Sequence, residues 1–510
     1  MPNITHICIS DLHAGALTSL LTPLRDPKLW TGRADGTPDC ADDPTALTAT
    51  TRTFADAFRS TVRSLNAMPA QGHAQSPATM ILLGDGLDLS LSPPDRCFPV
   101  LKGFLKAVWS ADPAVSEVPV LASRMILVPG NHDHALWTEQ RFDNERFPDD
   151  GFSHVSPAFA PTSQAPQSRV LNTYLADIGI TSALYYPNYG ISTVNTSKDT
   201  ENNRDKSIVF HHGHFIEPMY RLMSDIQAVL SGKAIPQTCD HLEMFNGPWI
   251  DFGWSTIGDA GPLGREAASV YQLLLTGSAV AGLERRIAGL VNRWVDANSG
   301  IAKIGMAGQA IDLLIRGIVD QVIGKFSQLE RYNYTQPLSQ SSIDGLKRYL
   351  AEAVAAQMVT ELGAGATDME TAVVFGHTHK PFEDQLVVDG FSRPVSVCNT
   401  GGWILDTSLL STVEAASLVF VDDELNTATL RLFSPPVNGV RSPVAVTSAD
   451  PTPPQDNPAV TALRHAVSTN QTAWDAFSRA VEDDYALRQQ LVLWLAEYAD
   501  EQAKKTGGVL

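Results

Sequence analysis

The chain is poor in cysteine, in positive charge and in long apolar runs. Its 510 residues hold five cysteines (Cys8, Cys40, Cys97, Cys239 and Cys398), an odd set without a C-x-x-C pair. That excludes a disulfide framework and fits reduced, buried thiols. Lys and Arg number 37 against 56 Asp and Glu, a formal net charge of −19. A polyanion meets repulsion over most of such a surface, which disfavours non-specific nucleic-acid binding. No uninterrupted apolar run reaches the roughly 18 to 20 residues that a membrane span needs. The nearest, Ala267 to Leu283, is broken by Gln272, Thr276, Gly277 and Ser278. The opening Met1-Pro2-Asn3-Ile4-Thr5-His6 has neither a basic nor a long apolar stretch, so no secretory signal is expected and the cytoplasm is the default location. A hydrophobic content of 44% is enough for a large core.

Five short apolar segments punctuate the chain, and each runs directly into a cluster of residues that bind metals. Ile4 to Ser10 stops at Asp11-Leu12-His13. Thr79 to Leu83 runs into Gly84-Asp85-Gly86-Leu87-Asp88, and Met125 to Val128 into Pro129-Gly130-Asn131-His132-Asp133-His134. Ser207 to Phe210 ends in His211-His212-Gly213-His214, and Thr371 to Phe375 in Gly376-His377-Thr378-His379. Their β-branched content predicts strands. Helical periodicity marks Thr51 to Leu65 and the long interval between the fourth and fifth clusters. There Leu283 to Trp294 and Ile311 to Phe326 keep apolar residues at helix spacing, and a further helix starts near Ser342 with Ile343, Leu346, Leu350 and Val354. Val395 to Cys398, Ser417 to Val421 and Thr427 to Leu432 read as strands. The tail is an amphipathic helix with Trp474, Phe477, Val481 and Tyr485 on one face. The organisation expected is therefore a core made of residues 1–215 and 369–437, a helical insertion or cap over 216–368, a Pro-rich linker over 438–458 and a helical tail over 459–510.

Singly, each cluster could be a turn. Five in order, each after a buried strand, describe a metal site. Asp11 and His13 lie two apart at a strand end, so both can face one side. Asp85 has two oxygens and suits a bridge between cations about 3.5–4 Å apart. Asn131 offers a neutral oxygen, and His212, His377 and His379 offer imidazoles. This mixed nitrogen and oxygen set suits two divalent transition-metal ions, manganese first, with iron, zinc or nickel as alternatives, and is too nitrogen-rich for calcium or magnesium. Such a pair makes a bound water acidic and clamps phosphoryl oxygens, which argues for phosphoester hydrolysis.

The series resembles the calcineurin-like metallophosphoesterase superfamily, with its D-x-H, G-D-x-x-D, G-N-H-[DE], H near Gly and G-H-x-H motifs. The resemblance runs over residues 1 to about 435 apart from the helical insertion. It implies an α/β fold, a four-layer α/β/β/α sandwich with the site at the strand ends. It implies Asp11, His13, Asp85 and His379 around one metal and Asp85, Asn131, His212 and His377 around the other. His132 then takes the place of the histidine acting on the leaving-group oxygen, and Asp88 that of the carboxylate orienting it, with hydroxide as the attacking group. His211, His214 and His134 are candidate substrate-pocket residues, each equally readable as a packed imidazole.

The reaction expected is hydrolysis of a phosphodiester, a phosphomonoester or a pyrophosphate. Leu89 stands where protein Ser/Thr phosphatases carry Arg, and Asp133 where they usually carry Glu, which disfavours that subfamily. A cap before the last motif, and Lys380-Pro381 after it, are similar to enzymes that cleave UDP-diacylglucosamine; His132 and His214 depart from their pattern. A small, even lipid-linked, substrate is the expected partner, nucleic acid is not, and the insertion or tail could form a homo-oligomer. The alternatives are a non-catalytic binding protein of the same fold, or a nuclease with a local basic groove.

Overall fold

The computed structural model describes residues 2–33, 37–68, 76–109, 119–143, 153–193, 205–255, 336–406, 411, 413–435 and 443–505. The expected helices over 283–294 and 311–326, and the apolar stretch 267–283, lie outside them.

The described chain is mixed α/β. Its strands are β1 (Ile4–Ile9), β2 (Thr31–Gly32), β3 (Pro38–Asp39), β4 (Thr79–Leu82), β5 (Arg124–Leu127), β6 (Thr181–Leu184), β7 (Asn188–Ser192), β8 (Lys206–His211), β9 (Glu370–Phe375), β10 (Glu383–Leu386), β11 (Val395–Asn399), β12 (Ala416–Asp422), β13 (Thr427–Phe433) and β14 (Ala445–Thr447). A seven-stranded sheet has the order β14-β13-β12-β1-β4-β5-β6, and a five-stranded sheet the order β10-β11-β9-β8-β7. In the larger, β1, β4, β5 and β6 are parallel, and β12 joins β1 antiparallel. In the smaller, β8, β9 and β11 are parallel, with antiparallel edges. All five motif-bearing strands, β1, β4, β5, β8 and β9, thus belong to parallel runs, so their C-terminal ends fall along one edge of each sheet.

Alternation within these strands decides what each face buries. Cys8, Ile81, Ile126 and Ala183 of the larger sheet share one buried cluster with Ile208, Phe210, Val374 and Cys398 of the smaller. Their sequence neighbours Ile7, Met80, Leu82 and Leu127, with Val209, Val373 and Val397, belong to a second cluster together with helix side chains. Burial on both faces explains why these strands read as continuous apolar runs.

Helices α1 (Ala49–Asn66), α2 (Pro94–Trp109), α3 (Ala135–Asp143), α4 (Arg169–Leu175), α5 (Leu222–Ser231) and α6 (Cys239–Ile250) precede the undescribed stretch. Thr48 caps α1 by accepting a hydrogen bond from the Thr51 amide, and Phe54, Phe58, Val62 and Leu65 form its buried stripe. The helix expected near Ser342 spans Gln340–Tyr349, is capped by Ser339, and passes through a π-turn, Leu350–Val354, into Ala355–Leu362. In the Pro-rich stretch, β14 pairs with β13. The C-terminal helices Pro458–Thr469 and Gln471–Lys505 pack on α1. Trp474 there is fully buried and donates its Nε1–H to Thr61 Oγ1 at 2.9 Å. No helix among the described residues is long and apolar enough to cross a membrane.

Candidate metal centre

The loops after β1, β4, β5, β8 and β9 bring nine of the sequence-derived residues together. Asp11, His13, Asp85, Asp88, Asn131, His132, His212, His377 and His379 are all at most 2% exposed. The backbone is bent hard to do this. Asp11, His13, Asp85, His377 and His379 all have positive φ, from 46 to 71°, and the one other described non-glycine residue that does is Leu425. Left-handed backbone at aspartate and histidine is costly, and it is concentrated here at candidate ligands. Crowding leaves room for nothing larger than glycine beside them. A Cβ at Gly376 would strike the Asp11 carboxylate and one at Gly130 the Asp85 carboxylate.

Three groups are close enough to share a cation: Asp11 with His13 and His379, Asp85 with His212 and His377, and Asp88 with His13 and His132, the first and last sharing His13. In the first, His13 Nε2 lies 2.9 Å from His379 Nε2, and Asp11 Oδ1 lies 3.4 Å from the latter. The opposite nitrogens are held by carboxylates. His13 Nδ1 donates to Asp88 Oδ2 at 2.9 Å, and His379 Nδ1 donates to Asp406 Oδ2 at 2.5 Å. A carboxylate only accepts, so in the neutral form each ring carries its hydrogen on Nδ1 and turns Nε2 toward the other. Two lone pairs at that distance repel unless a cation lies between them. Nitrogens about 2.1 Å from one metal and at right angles to each other stand ~3.0 Å apart, so the spacing fits ligation.

Around the second group, His212 Nε2 is 3.2 Å from Asp85 Oδ2 and 3.1 Å from Asn131 Oδ1, while its Nδ1 donates to the Leu83 carbonyl at 3.1 Å. Asp85 Oδ2 also faces Nε2 of His13 at 3.8 Å and of His132 at 3.9 Å, yet accepts no hydrogen bond. Within this set, that oxygen, buried among three imidazoles, is placed to reach more than one cation. Burial opposes the charged form of Asp85, but facing His212 and His132 hold its pKa well below the ordinary range. Burial likewise opposes ionisation of Asp88, and His132 and His13 override it. Burial lowers the pKa of His13 against the pull of Asp88. Burial opposes the charged form of His212, but Asp85 raises its pKa to about 9, so a cation at this group would displace a proton from that ring. Carboxylates and imidazoles in a buried pocket are a metal-binding donor set.

The third group centres on Asp88. Its Oδ1 lies 3.1 Å from His132 Nδ1 and accepts from Ser90 Oγ at 2.8 Å and from the Leu91 amide at 3.0 Å. Asp88 therefore orients His132 and His13 at once. The His132 amide donates to Asp85 Oδ1 at 2.8 Å, tying the two loops.

The remaining sequence candidates sit differently. His134 spends both nitrogens on carboxylates, Nδ1 on Asp251 at 2.7 Å and Nε2 on Glu243 at 3.2 Å. Burial opposes its charged form, but Glu243 and Asp251 raise its pKa to about 10. His211 donates Nδ1–H to the Pro187 carbonyl at 3.0 Å and stacks on Tyr349. His214 Nε2 shares a hydrogen bond of 3.1 Å with Tyr186. Burial drives the pKa of His211 down to about 3 and that of His214 well below its ordinary value.

Four supporting residues were given no role by the sequence reading. Asp406 holds His379, Glu217 lies 3.1 Å from His377 Nε2, and Ser90 lies 2.5 Å from His132 Nδ1. Asp133 gathers the Gly86, Gly130, Asp85 and Leu87 amides and so locks the second motif to the third. Asp133 was legible, being the last residue of its motif. Asp406 and Glu217 belong to no motif. The Asn399–Trp403 turn buttresses the site, with Asn399 Nδ2 donating to the Gly376 carbonyl at 2.7 Å and the Trp403 amide to the Asp11 carbonyl at 2.9 Å. No protein-family model matches the chain, and no curated protein matches it.

Proposed function

We propose that the chain is a metal-dependent phosphoesterase of the calcineurin-like kind, hydrolysing a phosphodiester, phosphomonoester or pyrophosphate bond in a small substrate. The observation that carries this reading is the convergence of His13 Nε2 and His379 Nε2, 2.9 Å apart beside Asp11, each ring backed by a carboxylate. On this reading the two sheets and their flanking helices make the four-layer α/β/β/α sandwich, in keeping with the buried cluster they share. The five buried free thiols suit a reducing cytoplasm.

Asp11, His13, His379 and one oxygen of Asp85 would hold one cation; Asp85, Asn131, His212 and His377 would hold the other. Bound there, the pair supplies Lewis acidity toward a phosphoryl oxygen and an acidified water as nucleophile. Manganese fits this donor set first, iron, zinc or nickel next. The protein's own part is positioning and proton transfer. His132 is held at Nδ1 by Asp88 and Ser90, which leaves Nε2 as the atom that holds a proton for the departing oxygen. Asp88, buried beside it, fixes the orientation of that ring. Burial of the whole set excludes bulk water and keeps these interactions strong.

The test is hydrolysis of bis-p-nitrophenyl phosphate beside p-nitrophenyl phosphate, with added Mn²⁺ and with chelator. The reading requires chelator-sensitive turnover of at least one of these or of a nucleotide or pyrophosphate substrate. Protein that binds Mn²⁺ but turns over neither, nor any nucleotide or pyrophosphate substrate, contradicts it.

A further inference from the structure

Glu217 stands where the chain leaves the core for the helical segment. It follows the 3-10 turn His214–Ile216, precedes the turn Pro218–Arg221, and α5 begins directly after that. Backbone hydrogen bonds fix the spot. The Glu217 amide donates to the His214 carbonyl at 3.1 Å, and the Tyr220 amide to the Glu217 carbonyl at 3.2 Å. A glutamate at the start of a surface helix would ordinarily be solvated, but this one is 5% exposed. Its Oε1 lies 3.1 Å from His377 Nε2. Tyr220 sets its ring edge-on to His377 at 5.2 Å and packs on Trp254 at 4.7 Å, so the same segment touches this imidazole twice.

The other three candidate-ligand histidines show what such a contact does. His13 gives Nδ1 to Asp88, His379 gives Nδ1 to Asp406, and His212 gives Nδ1 to the Leu83 carbonyl; in each the opposite nitrogen, Nε2, faces the centre. His377 is engaged through Nε2 instead. An acceptor-only carboxylate there places the hydrogen on Nε2 and leaves the lone pair on Nδ1. His377 belongs with Asp85 and His212 among the groups able to share a cation, and Glu217 is outside that group. The partners of His13, His212 and His379 are two aspartates and a carbonyl from loops of the core; that of His377 comes from the entrance to the helical segment.

We propose that Glu217 is a positioning residue that sets the tautomer and ring orientation of His377 toward the cation shared with Asp85 and His212. Half of the metal centre is therefore completed by the segment that opens the helical insertion, and not by the core alone. This rests on the two-cation reading above. Outer carboxylates on ligating histidines raise ligand basicity, and their loss costs roughly 10- to 100-fold in metal affinity.

The experiment uses the full chain, stripped of metal and titrated with Mn²⁺, followed by electron paramagnetic resonance and by competition with a chelator. Wild type should take up two Mn²⁺ as a spin-coupled pair. Glu217→Leu should keep one Mn²⁺ at wild-type affinity, bind the second about 10- to 100-fold more weakly, and show an isolated-ion spectrum at one equivalent. Glu217→Gln, which keeps the size and an accepting oxygen but not the charge, should fall between and serves if the leucine variant does not fold. Asp406→Asn should weaken the other cation. A coupled pair at wild-type affinity in both Glu217 variants overturns the proposal and leaves the reading of the site intact. Equal weakening of both cations also overturns it, because positioning is local. A wild type that binds no Mn²⁺ overturns the reading and the proposal together.

Discussion

Asp85 and His132 touch through one hydrogen bond, yet their removal should have different consequences. Asp85 faces three imidazoles through an oxygen that accepts no hydrogen bond, so Asp85→Ala removes the link between the two candidate cation groups. The expected outcome is loss of Mn²⁺ uptake and of activity together, read by metal analysis and by phosphoester turnover. His132 is outside both ligand groups proposed here, so His132→Ala should retain metal and lose about 10²- to 10⁴-fold in turnover of substrates with poor leaving groups. Substrates with good leaving groups should suffer less, and equal loss on both would remove His132 from the acid role.

His134 makes a residue-scale prediction that does not involve metal. Its pKa is raised from 6.5 to about 10 in the folded chain by Glu243 and Asp251. Between those values the folded protein holds a proton that the unfolded chain does not, so stability falls as pH rises. The contribution is full below about pH 6.5 and is lost through about pH 10. Urea unfolding measured from pH 7 to 10 should show a steeper decline for wild type than for His134→Gln. Parallel curves would mean that the buried trio is not charged. At pH 7 the same variant should cost about 3–5 kcal/mol, the usual penalty for stranding one partner of a buried pair.

At the scale of elements, what was legible follows burial. The strands carrying the motifs are apolar on both faces, and their observed ends, Ile4–Ile9, Thr79–Leu82, Arg124–Leu127, Lys206–His211 and Glu370–Phe375, fall within a residue of those read from the sequence. Strands β7 and β10 were not legible. Asn188-Tyr189-Gly190-Ile191-Ser192 contains a glycine because Phe159 fills the space its side chain would take, and Glu383-Asp384-Gln385-Leu386 is a polar sheet edge. Helix α2 hid behind Pro94, Pro99 and Gly103, although Val100, Leu101, Phe104, Leu105 and Val108 bury a helical stripe. The C-terminal helix was legible as amphipathic, but what it covers was not. Arg488 shows the answer. It is fully buried and donates to the carbonyls of Ser19 at 2.6 Å and Thr22 at 2.6 Å, in the loop that follows the first motif. Arg488→Met should strand those carbonyls and Asp484, costing about 2–4 kcal/mol in denaturant unfolding. An unchanged midpoint would show that the helix is an independent appendage.

For the whole molecule, the strand-end motifs made most of the candidate centre visible in advance because candidate ligands are set by residue type and order. Their supports were hidden because they depend on approach in space. Asp406 reaches His379 from 27 residues further along the chain, and Glu217 comes from the entrance to a different element. The same rule explains His134, which is adjacent to a motif but is claimed by Glu243 and Asp251, so that α3 is tied to α6 and the turn after it. A net charge of −19 and buried groups of carboxylates and imidazoles that could hold a metal ion both favour cations over anions as partners. On the reading proposed above, divalent cations bind in the Asp11–His379 cluster. The most direct measurement is equilibrium Mn²⁺ titration of the stripped protein, with wild type and Asp85→Ala side by side. Two Mn²⁺ per wild-type chain and none held tightly by the variant is the result predicted; no uptake by wild type, or equal uptake by both, would contradict it.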